Sequence, residues 1–334
     1  MPFRRAAVAA LAVLTVAGCG SGTQAPAAAP PAEDTAVPVV ASTNVYGSIV
    51  QAVGGDHVSV DSLIDDPAAD PHSYESTPAD AAAVAKAKLV VVNGGGYDDF
   101  LTRLVDSSGA TPTVVDVAAV SGLAPAEEQH ADEPHADEPH AEEQHAEGDG
   151  HEHGEFNEHF WYSLPTVQKV ATQIANDLGA ADPAGAAEYT ANAQAFNSRV
   201  AELISRAEAI GKAQPGTRVA VTEPVPGYLV QTAGLTDVTP HEFTEAIEED
   251  TDPPAAVLQQ TLALFSGDPV RALILNAQTE TPSTDQVRDA AQTARVPVVE
   301  MTETLPEGVT DYVAWMGGQI DALAGALGTP PPGS

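Results

Sequence analysis

Between Asp182-Pro183 and Gln214-Pro215-Gly216 the chain carries Tyr189, Phe196, Val200, Leu203, Ala207 and Ile210 at helical steps of three, four and seven, the spacing of one amphipathic helix. Asp182-Pro183 reads as an N-cap and first-turn pair, and Pro215-Gly216 as a stop. A helix of roughly 28 residues rises about 40 Å at 1.5 Å per residue, enough to brace two separate lobes. The rest of the fold must therefore be built on either side of this element. The organisation it implies is a first lobe over 37–181, a linker helix over 182–214 and a second lobe over 215–330.

Both flanks alternate in the same way. Before the helix, Val37 to Ala41, His57 to Ile64, Leu89 to Val92 and Thr113 to Val117 are short, apolar, β-branched runs. Helical stretches such as Ala79 to Lys88 and Tyr97 to Val105 separate them. After it, Arg218 to Thr222, Val270 to Leu275 and Val296 to Val299 read as strands, with helices near Val225 to Ala233, Ala255 to Phe265 and Asp285 to Ala294. Strand-helix alternation of this kind specifies parallel sheets. The expected fold class is α/β, with two Rossmann-like lobes of parallel sheet joined by one long rigid helix; 334 residues suffice for two cores.

The first 36 residues carry a different message. Met1-Pro2-Phe3-Arg4-Arg5 precedes an apolar run from Ala6 to Ala17 that is too short to span a bilayer, the pattern of an export signal over 1–18. The run ends in Val16-Ala17-Gly18-Cys19, which resembles a bacterial lipobox and implies lipid attachment to Cys19. Residues 19–36, rich in Ala, Pro, Gly and Ser, read as a flexible tether. The expected location is extracytoplasmic, lipid-anchored to the cell membrane through Cys19. Since Cys19 is the only cysteine, an intrachain disulfide is impossible and a metal site must use nitrogen and oxygen donors. A net charge of −35 excludes nucleic acid as a natural partner and favours cations.

Residues 127–155 hold twelve acidic residues and six histidines with no Lys or Arg. His130, His135, His140 and His145 recur every five residues, and His151 and His153 follow. So little apolar bulk predicts a mobile loop, read either as an accessory metal collector or as a solubilising acidic insertion.

Four residues are candidates for one metal centre. His72 lies in Asp70-Pro71-His72-Ser73-Tyr74-Glu75, beyond a strand and before a helix, where open α/β sheets hold their ligands. His159 lies in Phe156-Asn157-Glu158-His159-Phe160-Trp161-Tyr162, where neighbouring aromatics would shield a metal from water; a core histidine pinned by aromatic packing is the plain alternative. Glu223 and Glu303 each follow a strand of the second lobe, at matching ends of a parallel sheet. Either alone is an ordinary loop carboxylate, and Glu300 and Asp237 are possible substitutes for Glu303. Together with two neutral imidazoles, two carboxylates make an N2O2 set whose charge offsets a divalent cation.

The segments Val40-Ala41-Ser42-Thr43-Asn44-Val45-Tyr46, Asp70-Pro71-His72-Ser73-Tyr74-Glu75, Asn93-Gly94-Gly95-Gly96-Tyr97-Asp98 and Asn157-Glu158-His159-Phe160-Trp161-Tyr162 resemble the zinc- and manganese-binding lipoproteins of ABC importers, the cluster A-I or TroA-like family. The likeness extends over nearly all of residues 37–328 and includes the His-rich insertion. It implies one metal in a cleft between two lobes, held by His72, His159, Glu223 and Glu303, and a membrane permease as partner. A monomer is expected. Glu223 stands where zinc members usually have a third histidine and manganese members a glutamate, which favours Mn2+. The His-rich loop and the Irving-Williams order favour Zn2+, which leads.

An enzyme is not expected. Catalytic zinc needs an open position, and the nearest string to a zinc-protease helix, His241-Glu242-Phe243-Thr244-Glu245, lacks the second histidine. A periplasmic or surface zinc buffer, or an adhesin, is the remaining alternative.

Overall fold

The computed structural model describes residues 36–66, 74–123 and 156–329. The export segment and tether with Cys19, the loop with His72 and the His-rich run from His130 to His153 lie outside the described residues.

The first lobe contains β1 (Val37–Thr43), α1 (Asn44–Gly54), β2 (Val58–Ile64), α2 (Pro78–Val84), β3 (Leu89–Val92), α3 (Asp99–Ser108), β4 (Thr113–Asp116), α4 (Val117–Ser121) and α5 (Leu164–Ala181). Then comes α6 (Ala186–Ala213). The second lobe contains β5 (Arg218–Val221), α7 (Gly227–Thr232), β6 (Thr236–Asp237), α8 (His241–Glu248), α9 (Ala255–Ala263), β7 (Leu273–Asn276), α10 (Pro282–Thr293), β8 (Val298–Met301) and α11 (Tyr312–Ala326).

The two sheets are built alike. Their strand orders are β2-β1-β3-β4 and β6-β5-β7-β8, and every pair is parallel. In each, the order reverses between the first and third strands of the lobe, so a crevice opens beyond the carboxyl ends of β1 and β3 and of β5 and β7. All of Leu89-Val90-Val91-Val92 and all of Leu273-Ile274-Leu275-Asn276 are buried, as strands covered by helices on both faces must be.

Each sheet carries a private core on its outer face. Val84, Val90, Phe100 and Leu101 pack together in the first lobe, and Phe243, Phe265, Leu273 and Val287 in the second. The inner faces share one larger core, in which Ile49, Val167 and Trp161 of the first lobe meet Val221, Leu229 and Met316 of the second. The apolar stripe of α6, from Tyr189 through Phe196, Val200 and Leu203 to Ile210, runs through this shared core. It packs on α1 and α5 on one side and on α7 and α11 on the other. At 1.5 Å per residue its 28 residues span about 42 Å.

Asp182 does not cap α6 as the sequence suggested. It is the last cap of α5, and its Oδ2 accepts from Tyr189 Oη at 2.8 Å, while Gly185 precedes α6. The turn Asp182-Pro183-Ala184 thus ends one helix before the next begins.

Polar bonds stitch the lobes together. Asn44 Nδ2 donates to Leu305 O (3.1 Å) and Asn44 Oδ1 accepts from Leu305 N (2.9 Å). Ser48 Oγ donates to Thr310 O and accepts from Tyr312 N, and Tyr312 Oη donates to Trp161 O at 2.6 Å. Tyr162 Oη reaches both Thr302 O and Gln319 Oε1 at 2.7 Å.

Candidate metal centre

Glu223 and Glu303 arrive from the ends of the two strands that flank β7 in the second sheet. β5 leads through Thr222 into Glu223, and β8 leads through Thr302 into Glu303, with β7 between them. Both residues are buried. The strand between them ends in Asn276, whose amide nitrogen donates to Glu223 Oε2 (2.8 Å) and to Glu303 Oε1 (2.7 Å). Its carbonyl accepts from Gln278 N at 3.0 Å, which fixes the amide orientation. Gln278 Oε1 in turn accepts from the backbone N–H groups of Glu303 (2.6 Å) and Thr304 (3.0 Å).

His159 arrives from the first lobe, fully buried, on the segment before a short 3-10 turn over Phe160–Tyr162. Asn157 Oδ1 accepts from its backbone N–H at 2.9 Å and lies 2.8 Å from its Nδ1. The same amide donates through Nδ2 to Pro224 O at 2.7 Å, and a carbonyl can only accept. The oxygen of Asn157 therefore faces the imidazole, Nδ1 carries the hydrogen, and Nε2 presents its lone pair to the cluster. Gly227 leaves room for this amide, since a Cβ there would stand 2.6 Å from Asn157 Nδ2.

His159 Nε2 lies 3.9 Å from Glu303 Oε2 and 3.7 Å from Glu248 Oε1. Tyr97, also buried, donates from Oη to Glu303 Oε2 at 3.2 Å and so brings a first-lobe hydroxyl to a second-lobe carboxylate. Of the three aromatics that follow His159, only Trp161 packs on the imidazole, edge-on with ring centres 5.1 Å apart. Tyr97 supplies the second ring at 6.0 Å. Phe160 stacks on Phe156 and Tyr228, and Tyr162 meets Trp315, so these two brace the shell from behind.

Burial in the metal-free protein is costly for so many acids. Desolvation, then the Glu303 charge, holds Glu223 well above the usual carboxylate range. Burial first and then neighbouring carboxylates push Glu158 up to about 8 and Glu248 up to about 8. No described Lys or Arg pairs with any of the four; the described ion pairs of Arg199, Arg206, Lys212, Arg218 and Arg288 lie elsewhere. Such a cluster stabilises a cation that replaces protons. Among the described residues, no three acidic or imidazole groups converge on one point at coordination distance. His72 lies outside the described residues.

The loop after β3 supports the first-lobe side. Asn93 accepts from Tyr46 Oη at 2.5 Å and donates to Glu158 O at 3.0 Å. Gly94, Gly95 and Gly96 all have positive φ, and the buried Asp98 carboxylate closes the turn onto the N–H groups of Asn93 (2.6 Å) and Gly94 (2.9 Å).

Neither considered substitute for Glu303 joins its carboxylate pair with Glu223 through Asn276. Glu300 is exposed on β8, and Asp237 accepts from the N–H and hydroxyl of Thr239. Asn157, Asn276, Tyr97 and Glu248 are the groups that sequence reasoning missed. Asn276 carried a signal, since it ends an apolar strand in a polar residue as Asn93 does in the first lobe. Glu248 carried none, because on α8 it is one glutamate among several.

Two α/β lobes braced by a shared helix, with polar groups of both buried at their junction, define the class of bilobal, helix-braced binding proteins. The family described as zinc-uptake complex component A, periplasmic, matches residues 39–326, and the chain belongs to that family. It is 29% identical over 197 residues to the manganese-binding lipoprotein MntA of Halalkalibacterium halodurans, covering 57% of this chain and 53% of that relative. It is 32% identical over 185 residues to the high-affinity zinc uptake system protein ZnuA of Brucella abortus, covering 49% and 55%. The chain thus matches about half the length of these curated relatives. Its fold is similar to that of the solute-binding protein FpvC of Pseudomonas aeruginosa in complex with Mn2+, at a TM-score of 0.67 and 23% identity over 88% of this chain and 98% of that one.

Proposed function

We propose that this chain captures a divalent transition metal ion outside the cytoplasm, zinc by preference, and delivers it to the permease of an ABC importer. The observation that carries the reading is the pairing of His159 Nε2 from one lobe with Glu303 from the other, while Asn276 binds Glu303 to Glu223. His72, the first histidine of the family resemblance, would complete two imidazoles and two carboxylates. An ion bound there would offset the charges that burial otherwise opposes. The family is one of metal-uptake components, and the reading assigns no catalysis.

Zinc leads because mixed nitrogen and oxygen sites bind it more tightly than manganese. The carboxylate at 223 favours manganese as the second reading, and relatives named for each metal accompany the chain. The reading also includes lipid anchoring through Cys19, a monomeric protein and a collecting role for His130, His135, His140, His145, His151 and His153. Among the described residues no helix is long and apolar enough to cross a membrane.

Competition titration of metal-stripped protein with zinc and manganese tests the proposal. Each of His72→Ala, His159→Ala, Glu223→Ala and Glu303→Ala is expected to weaken zinc binding by about tenfold or more. Unchanged affinity in all four would remove the site.

A further inference from the structure

Glu248 belongs to α8, a helix of the second lobe that contributes nothing to the ligand set drawn from the family resemblance. Its carboxylate nevertheless turns into the buried cluster. Oε1 lies 3.7 Å from His159 Nε2, closer than Glu303 Oε2 at 3.9 Å, and its side chain is 15% exposed. Glu248 also lines a cavity of about 640 Å³ that touches Asn157, Glu158, Thr244 and Glu245. The residue therefore borders both the cavity and the imidazole.

An independent observation on Glu223 points the same way. Glu223 is 3% exposed, and its Oε1 accepts no hydrogen bond among the described residues, although Oε2 is held by Asn276. A buried carboxylate oxygen left so costs free energy unless an ion meets it. Donors on one ion at bond lengths of about 2.0–2.2 Å stand roughly 3–3.5 Å apart, so the 3.7 Å between Glu248 and His159 needs only a small contraction.

We propose that Glu248 is a further ligand of the captured ion, reached from the cavity and retained once the ion sits against His159. This inference rests on the proposed metal site and deepens it. A third carboxylate changes a four-donor set of two nitrogens and two oxygens into a five-donor set richer in hard oxygen. That change favours manganese relative to zinc, because zinc is content with four ligands and manganese prefers oxygen and higher coordination. Glu248 would thus be the residue that admits manganese to a site whose first choice is zinc.

The test uses the purified full chain, stripped of metal, as parent, Glu248→Gln, Glu248→Asp and, as a control, Glu242→Gln at an exposed position of the same helix. Each is titrated with zinc and manganese in competition and loaded with cobalt(II), whose visible bands intensify as coordination falls from five to four. Glu248→Gln is expected to weaken manganese by about tenfold, zinc by less, and to intensify the cobalt bands. Glu248→Asp keeps the charge but withdraws it by one methylene, and is expected to give the same spectral change. Glu242→Gln should match the parent. Unchanged cobalt bands in both Glu248 variants, with or without a loss of affinity, would overturn Glu248 as a ligand. A parent that takes up none of the three metals would overturn the metal site itself, and this inference with it.

Discussion

An asparagine amide offers two hydrogens and one acceptor oxygen, and at positions 157 and 276 part of that capacity holds the candidate ligands while the rest ties the amide to the backbone nearby. Asn157 sets the imidazole proton of His159 while its nitrogen holds Pro224, the residue after Glu223. Asn276 keeps two carboxylates at the spacing of one amide group. Asn157→Ala is expected to lower zinc affinity by about 10- to 100-fold and also to cost about 1–3 kcal/mol in stability, since it leaves the His159 donors and Pro224 O unsatisfied, effects read by titration and thermal melting. Asn276→Ala should act on both, because it leaves two buried carboxylates without their shared donor, at about 1–3 kcal/mol in stability. In the sequence Asn276 showed only as the polar end of an apolar strand, and Asn157 gave no sign of its role. Histidines and glutamates announce their chemistry by type, whereas an amide matters through which atoms it touches, and that depends on the fold.

Elements were easier to read than their ends. The apolar stripe of α6 was plain in the sequence because a 3.6-residue period over seven turns leaves few alternatives. Its start was misread, since Asp182-Pro183 carries the composition of a cap yet serves the end of α5 and the hydroxyl of Tyr189. The strands shifted by a few residues, β7 beginning at Leu273 and β8 at Val298, because apolar residues just before a strand look like the strand. Several elements had no clear trace. The two-residue β6 is too short for a pattern, and α1 and α11 are buried on most sides and lack a polar face. Leu203 lies where α6 meets α11, with Arg206 one turn on donating to Gly317 O. Leu203→Ala is expected to cost about 2–5 kcal/mol, measured by denaturant unfolding, because the shared core cannot collapse around the missing volume.

At the scale of the whole molecule, the metal-free protein carries protons that its unfolded chain would release. Glu158 and Glu248 hold protons up to about 8 in the folded state, against about 4.5 for a free glutamate side chain. Protons are therefore bound by the folded state and absent from the unfolded one between about pH 4.5 and pH 8, so stability falls as pH rises through that window. Melting of the metal-free protein is expected to drop steadily from pH 5 to pH 8. Added zinc should stabilise more at pH 8 than at pH 5, since its ligands must shed protons to bind. A melting temperature that rose with pH in the absence of metal would contradict the electrostatic account of the cluster. The shared core and the bonds of Asn44, Ser48, Tyr162 and Tyr312 across the junction also limit how far the lobes can part. Capture and release are therefore expected to move loops around the cluster and not whole lobes, which scattering from metal-free and zinc-loaded protein would show as nearly superimposable curves.

The central claim is that both lobes grip one ion, and anomalous diffraction at the zinc edge from crystals of the zinc-loaded protein tests it most directly. The account expects one strong peak within about 2.0–2.2 Å of His159 Nε2 and of oxygens from Glu223 and Glu303. A peak bound by residues of one lobe alone, or zinc found only away from His159, would contradict it.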